Sequence, residues 1–275
     1  MSNAKPFIIA HRGARSMAPE NTLSAGLLAH SQGAHMWEID VRLTADGIPV
    51  LMHDESLART TNVALKPAYS KRFPWLLSSF SLKELGELNA GEWFVYADPF
   101  HSVALGQIEP AKLRAYPYEP IPTLQSALEL VKALNWKINI EIKIDENQVH
   151  KIPLLVQAVL DLLTSTQTQH VCLISSFSKP CLELTKKLAP QVETALLFKS
   201  VDIEKITDIC KDMGISVLHP HSDSLPVKAI PYLREQNFLI HPWTINDKFL
   251  AKTFFDAGVT GIITDYPIEY YYPRY

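Results

Sequence analysis

Two imidazoles, three carboxylates and two cations stand where apolar packing does not ask for them. His11 and Arg12 close the apolar run in FIIAHRG, and His53 and Asp54 close the run in IPVLMHD. Residues two apart on a strand share a face, so WEIDV puts Glu38 with Asp40, and NIEIKI puts Glu141 with Lys143. The alternate residues are Trp37, Ile39 and Val41, and Ile140, Ile142 and Ile144, which belong against helices. The acids therefore point inward, where an unpaired charge costs several kcal/mol. Three converging acids need a cation. Lys143 supplies one charge, and three oxygen donors also suit a hard divalent ion, Mg2+ or Ca2+. An internal salt-bridge cluster of Glu38, Asp40, Glu141, Lys143 and Arg42 accounts for the same placement, and charge alone leaves both open. Two imidazoles at the same rim can take a proton from a nucleophile and give one to a leaving oxygen near neutral pH. Arg12 offers a planar fork for phosphate oxygens. Together these groups describe phosphodiester cleavage. His30, His35, His101, His150 and His170 read as structural; His219 and His221 follow a strand and either reach the rim or sit as exposed loop imidazoles.

The elements that must carry these residues are short apolar runs: FIIAHR, MWEIDVRL, IPVLMH, KINIEIK, VCLISSF, TALLF, ISVLHP, FLIHPWTI and GIITD. Helical spacing recurs between the later ones, over Thr123–Leu134, Ile152–Thr164, Lys179–Leu188, Asp202–Met213, Ser222–Gln236 and Asp247–Ala257. Regular alternation of strand and helix implies parallel pairing through right-handed crossovers. Nine runs are one too many for an eight-stranded barrel, but Asp46-Gly47 marks a tight turn that makes VLMH a returning hairpin arm. The expectation is an α/β fold, a (β/α)8 barrel, over a single catalytic domain of residues 1–275. An open doubly wound sheet is the alternative, but no glycine-rich phosphate fingerprint supports it. From Asp54 to Pro122 strand-length runs vanish, and aromatics and prolines take over. Residues 54–122 are expected to form an insertion subdomain capping the barrel mouth.

The composition narrows the partners. A net charge of −3 gives no basic stripe for nucleic acid. Three scattered cysteines, Cys172, Cys181 and Cys210, fit neither a disulfide framework nor a zinc site and suggest reduced thiols. The first apolar run is too short for a signal peptide, and no stretch approaches a transmembrane length, so a cytoplasmic location is expected. Oligomeric state has no sequence signal here.

The segments AHRGARSMAPENT, EIDVRLTADGIPVLMHDESLARTTN, IPTLQSALEL, NIEIK, HPWTIN and GIITDYP, in that order, resemble the glycerophosphodiester phosphodiesterase family. The resemblance covers nearly the whole chain. It implies an enzyme that cleaves glycerophosphodiesters to sn-glycerol 3-phosphate and an alcohol. By the same resemblance His11 and His53 match an acid–base pair, and Glu38, Asp40 and Glu141 match the divalent-metal ligands. Arg12 and Lys143 match phosphate-holding groups, and Trp243 matches a pocket-lining indole. Glu20 matches a supporting acid, though it also reads as helix capping with Asn21 and Thr22. Asp265 could support the site through hydrogen bonds or cap the last turn. After RTTN the chain departs from the family pattern with VALKPAYSKRFPW, which implies a cap of its own shape. A lysophospholipase D-like lipid phosphodiesterase and a catalytically silent binding protein are the alternative functions. Every matched metal and histidine position is intact, which disfavours the second.

Overall fold

The structure, a computed structural model, describes residues 6–199 and 202–270; Ser2-Asn3-Ala4 lies outside the described residues. Nine strands form: β1 (Phe7–His11), β2 (Met36–Leu43), β3 (Pro49–Leu51), β4 (Lys137–Ile142), β5 (Cys172–Ser176), β6 (Glu193–Phe198), β7 (Val217–Pro220), β8 (Leu239–Ile240) and β9 (Gly261–Thr264). Eight run parallel in the order β8-β7-β6-β5-β4-β2-β1-β9, and β3 alone is antiparallel, to β2. Between β8 and β9 the circle closes through separate hydrogen bonds rather than a ladder. Thr260 N–H donates to Ile240 O at 3.1 Å, Ile240 N–H to Thr260 Oγ1 at 2.7 Å, and Ile263 N–H to Pro242 O at 3.0 Å. The expected eight-stranded (β/α)8 barrel is therefore present, nearly closed.

The strand faces divide as the alternation demands. Ile8, Ala10, Trp37, Ile39, Val41, Ile138, Ile140 and Ile142 are buried in the large core under the helices. Ile9, Met36, Leu173, Ala195, Val217 and Ile263 fill the barrel interior as an apolar plug. Each fully buried aliphatic side chain contributes about 1.5–3 kcal/mol, so the outer core anchors the strands. The polar inward residues sit above the plug, at the strands' C-terminal ends, where barrels of this kind carry their chemistry.

The hairpin decides where His53 goes. Gly47 takes φ +79°, and Thr44 N–H donates to Ile48 O at 3.0 Å. β1 pairs with Met36–Glu38 of β2, whereas β3 pairs with Val41–Leu43. β3 thus runs back beside the upper part of β2, in the space above β1. The chain is returned toward His11.

Helices follow the read pattern with local caps. Thr22, Thr123, Asp202 and Asp247 each accept a backbone N–H three residues on, which supports a helix start by about 1 kcal/mol. The stretch Ser222–Gln236 differs from the expected single helix. It breaks into 3-10 turns at Ser222–Ser224 and Val227–Ala229 and a helix over Ile230–Glu235. Pro226 forces Leu225 into extended backbone, and Pro231 is tolerated only in a first turn.

Residues 54–122 contain no strand and are built from 3-10 turns and short helices, among them Pro67–Arg72, Leu82–Leu85, Glu92–Ala97 and Pro110–Ala115. Leu57, Val63, Tyr69, Leu77, Phe80 and Leu85 make a small core with Val50 and Met52. Phe94, Ile108 and Tyr116 make another against Ala18 and Ala25. Among the described residues no helix is long and apolar enough to cross a membrane. The three cysteines are buried and unbridged, and burial pushes the thiols of Cys181 and Cys210 up to about 12.

His219 and His241 lie in the interior, Nε2 to Nδ1 at 3.2 Å. Burial, then His241, holds His219 well below its ordinary value; burial, then Arg234 and Lys137, brings His241 down to about 4. The unfolded chain therefore binds more protons than the folded one between the free-imidazole value of 6.5 and about 4. The stability these neutral rings permit is complete above 6.5 and is lost as pH falls through that window. Thermal unfolding should show a midpoint that drops from neutral pH to pH 5, and His241→Asn should flatten part of that drop. An unchanged slope in the variant would contradict the assignment.

Candidate active site

The turn after β1 sets the first half of the site. Arg12 has φ +56° and Gly13 φ +90°. A Cβ at Gly13 would lie 2.6 Å from atoms of Ala25, so only glycine lets the chain pass there. The turn directs the Arg12 backbone N–H to Glu38 Oε2 at 2.9 Å. Its guanidinium reaches Glu20 Oε1 at 2.9 Å and Asp40 Oδ2 at 3.1 Å. Glu20 is almost fully buried and also meets Arg15 at 3.1 Å and Arg59 at 2.7 Å. Burial opposes its ionisation, but Arg12 and the other guanidiniums hold it down to about 2. Capping belongs to Thr22, not to Glu20 or Asn21. Asn21 instead donates to Asp40 Oδ2 at 2.8 Å and accepts from Asp40 N–H at 3.1 Å.

The three acids come together as the face rule requires. Asp40 and Glu141 are register partners across β2 and β4, and His11 is opposite Glu38 across β1 and β2. Glu38, Asp40 and Glu141 are all buried, and one oxygen from each lies within 4.8 Å of the others. Lys143 Nζ sits 3.1 Å from Asp40 Oδ1 and 2.6 Å from Glu141 Oε1. Burial opposes ionisation of Asp40, yet Lys143 and Arg12 hold it well below the carboxylate range. Glu38 is left with too little positive charge. Burial, then Asp40 and Glu141, push its carboxyl well above the usual range, and burial raises Glu141 too. Three acids share two cations, so one further positive ion fits the group. The all-oxygen donor set suits a hard divalent cation, and these residues could hold one. Arg42 is not part of the cluster: it donates to His53 O at 2.9 Å and pairs with Asp145 at 2.5 Å.

Both imidazoles are tethered at Nδ1 by a carboxylate. His11 Nδ1 is 2.7 Å from Asp265 Oδ1, and His53 Nδ1 is 2.6 Å from Asp54 Oδ1. An ionised carboxylate only accepts, so each neutral ring carries its proton on Nδ1 and leaves Nε2 as the free lone pair. Burial, then Arg12, brings His11 down to about 4 against the pull of Asp265. Asp265 is tied to the loop before the last α-helix: Asn246 Nδ2 donates to its Oδ2 at 2.7 Å, and its own N–H donates to Asn246 Oδ1 at 3.0 Å. Burial opposes its ionisation and His11 favours it, leaving Asp265 at about 2.

A cleft of about 250 Å³ opens on this group, lined by His11, Arg12, Glu38, His53, Glu141 and Lys143 on one side. Phe177, Leu197, Lys199, Trp243 and Ile263 line the rest. Trp243 is fixed by its Nε1–H, which donates to His219 O at 2.9 Å, and by Phe177 and His221 packed edge-on. Asp40, Glu20 and Asp265 stand behind the cleft wall and bind groups that line it. His221 reaches the rim beside Trp243, whereas His219 is wholly buried in the barrel, neither at the rim nor in an exposed loop. The site also draws in Asn139, Arg59, Asn246, Phe177 and Lys199, which the sequence did not single out, and Asp54, which it singled out without a role. Asn139 shares the inward face of Glu141, and Phe177 and Lys199 directly follow β5 and β6, which is the signal that could have found these three.

Residues 11–269 match the model of the Glycerophosphoryl diester phosphodiesterase family. The chain is 30% identical over 263 residues to a glycerophosphodiester phosphodiesterase of Caldanaerobacter subterraneus subsp. tengcongensis, covering 96% of this chain and 95% of that one. It is 37% identical over 278 residues to the human glycerophosphoinositol inositolphosphodiesterase GDPD2, covering 95% of this chain but spanning only 46% of that protein. Its fold superposes with a TM-score of 0.80 and 29% identity on an Oleispira antarctica phosphodiesterase solved in complex with the product sn-glycerol-3-phosphate, covering 96% of this chain and 94% of that one. Matched along almost its entire length by sequence and by fold, this chain belongs to the glycerophosphoryl diester phosphodiesterase family.

Proposed function

We propose that the chain hydrolyses glycerophosphodiesters to sn-glycerol 3-phosphate and an alcohol, with Mg2+ or Ca2+ held by Glu38, Asp40 and Glu141. The observation that carries this reading is the pair of carboxylate-tethered imidazoles facing one cleft with the acidic trio, Arg12 and Lys143. The Oleispira relative, solved with sn-glycerol-3-phosphate, supports the same product here. When bound, the divalent ion supplies Lewis acidity toward a phosphate oxygen and helps orient the substrate. Arg12 and Lys143 hold the phosphate and stabilise the charge that builds on it. His11 is neutral near pH 7, its value brought down to about 4, and its free Nε2 takes the proton from the attacking hydroxyl. That hydroxyl is water's, or the vicinal one on glycerol, in which case the alcohol leaves behind a cyclic phosphate that water then opens to sn-glycerol 3-phosphate. Asp265 stabilises the imidazolium so formed, and His53, entering as the imidazolium with Asp54 on its Nδ1–H, gives its Nε2 proton to the departing alcohol oxygen. Trp243 and Phe177 pack against the organic part of the substrate, and residues 54–122 cap the cleft. The cleft's modest size favours a water-soluble glycerophosphodiester over a lipid with an acyl chain.

His11→Ala and His53→Ala should each lower turnover on glycerophosphocholine by about 10²-fold or more, the scale of a lost acid–base group. Rates near wild type in both would remove the two-histidine proposal. Lysophosphatidylcholine run beside it should be the poorer substrate, and faster turnover of the lipid would favour the lipid-directed alternative.

Metal binding should also be visible without turnover. Protein stripped by EDTA should gain thermal stability when Mg2+ or Ca2+ is restored, because a ligand that binds only the fold stabilises it. Glu38→Gln should abolish that gain while leaving the stripped protein at least as stable, since it removes one of three repelling buried acids. A gain that survives in Glu38→Gln would argue against the trio as the site.

A further inference from the structure

The two tethering carboxylates are held in different ways. Asp265 follows β9, has its side chain 8% exposed and is fixed by the Asn246 amide. Asp54 follows the β3 arm with its side chain 28% exposed, where water competes for it. The group that fixes Asp54 is a guanidinium. Arg59 Nε donates to Asp54 Oδ2 at 2.6 Å and Nη2 to Oδ1 at 3.0 Å. The same guanidinium donates through Nη1 to Glu20 Oε2 at 3.1 Å and through Nη2 to Glu20 Oε1 at 2.7 Å. Glu20 is itself immobilised by Arg12 and Arg15, and the ring of Trp93 lies 5.6 Å from the Arg59 guanidinium carbon.

We infer that Asp54 and Arg59 form a positioning pair for His53. Asp54 fixes the ring by accepting from Nδ1, and Arg59 braces Asp54 against the buried Glu20. The inference rests on the reading of His53 as a proton carrier. A guanidinium has five donors in a rigid fork and can grip two carboxylates at once, whereas an ammonium is a point charge with no such fork. Arg59 therefore fastens the loop that carries His53 to the floor of the site beneath Arg12. Loss of the brace leaves the phosphate-holding groups in place, because Glu20 keeps Arg12 and Arg15. The damage falls on the orientation of His53, hence on kcat rather than KM.

The test is steady-state kinetics of the metal-loaded enzyme on glycerophosphocholine. Arg59→Gln should lower kcat by about tenfold, as expected for a misaimed acid–base group, with KM changed less than about twofold. Arg59→Lys should recover only part of the loss. In a His53→Asn background, Arg59→Gln should lower the residual rate by less than about twofold, because the group it positions is gone. Arg72→Gln serves as the control: it breaks the Glu84 pair in the same insertion and touches neither Asp54 nor Glu20. Its kcat should stay near wild type even where its melting temperature falls. The inference is overturned by wild-type kcat in Arg59→Gln, by an equal loss in the His53→Asn background, or by an equal loss of kcat in Arg72→Gln. Undiminished turnover in His53→Asn itself would instead remove the reading on which the inference rests.

Discussion

Three buried carboxylates set against two buried cations are the constraint on which the rest of the site depends. Glu38, Asp40 and Glu141 bring donor oxygens within 4.8 Å of one another, and among the described residues Arg12 and Lys143 are the cations paired with them. Such a group does not persist in a soft environment, because the acids would turn toward water. It persists here because each acid grows from a strand whose other face is locked into the main apolar core. Trp37, Ile39, Val41, Ile140 and Ile142 fix the strands, and the pleat then leaves the acids no direction but inward. The energy that tolerates the charge cluster thus comes from aliphatic burial on the opposite side of the same residues' backbone.

The imbalance of charge organises the surroundings as well. Asp40, held by Lys143, Arg12 and Asn21, takes the positive charge available, and Glu38 is left with a backbone N–H and two repelling neighbours. That asymmetry prepares the group for one more cation without asking any side chain to move far. Burial first and Arg12 second depress His11, so the guanidinium that favours ionised Asp40 also helps keep an imidazole neutral. In the proposed chemistry those are the two conditions needed at the start: a place for a metal and a base ready to accept.

Much of this was legible in the sequence, for a physical reason. The strand period of two is a strict rule, so Glu38, Asp40, Glu141 and Lys143 could be assigned to the inside before any coordinates, as could the hairpin at Asp46-Gly47. The eight-strand count followed from that one turn. Less legible were partnerships made across distant loops. Nothing local to Glu20 says that three guanidiniums will converge on it, and nothing in Arg42 says that it will leave the acids for Asp145. His219 read as either a rim group or an exposed loop imidazole, yet β7 carries it inside to meet His241. The stretch Ser222–Gln236 kept helical spacing while its prolines divided it, a case of backbone chemistry overriding periodicity.

The insertion has a different bearing on the site from that of the barrel. Barrel strands deliver the acids, Lys143 and His11 from positions set by the sheet register, which admits little variation. His53 comes instead at the end of a short antiparallel arm that leads into residues 54–122, where the packing is a small separate core. Both rings are tethered by a carboxylate, but the one carried by the loop lies beside the insertion, whose side chains are the ones in reach of its tether. This accounts for the contrast between an amide behind Asp265 and a guanidinium behind Asp54. The insertion therefore meets the site through the Asp54, Arg59 and Glu20 contacts rather than through the charge cluster itself. The sheet holds the acids, Lys143 and His11, and the loop with its tether holds His53.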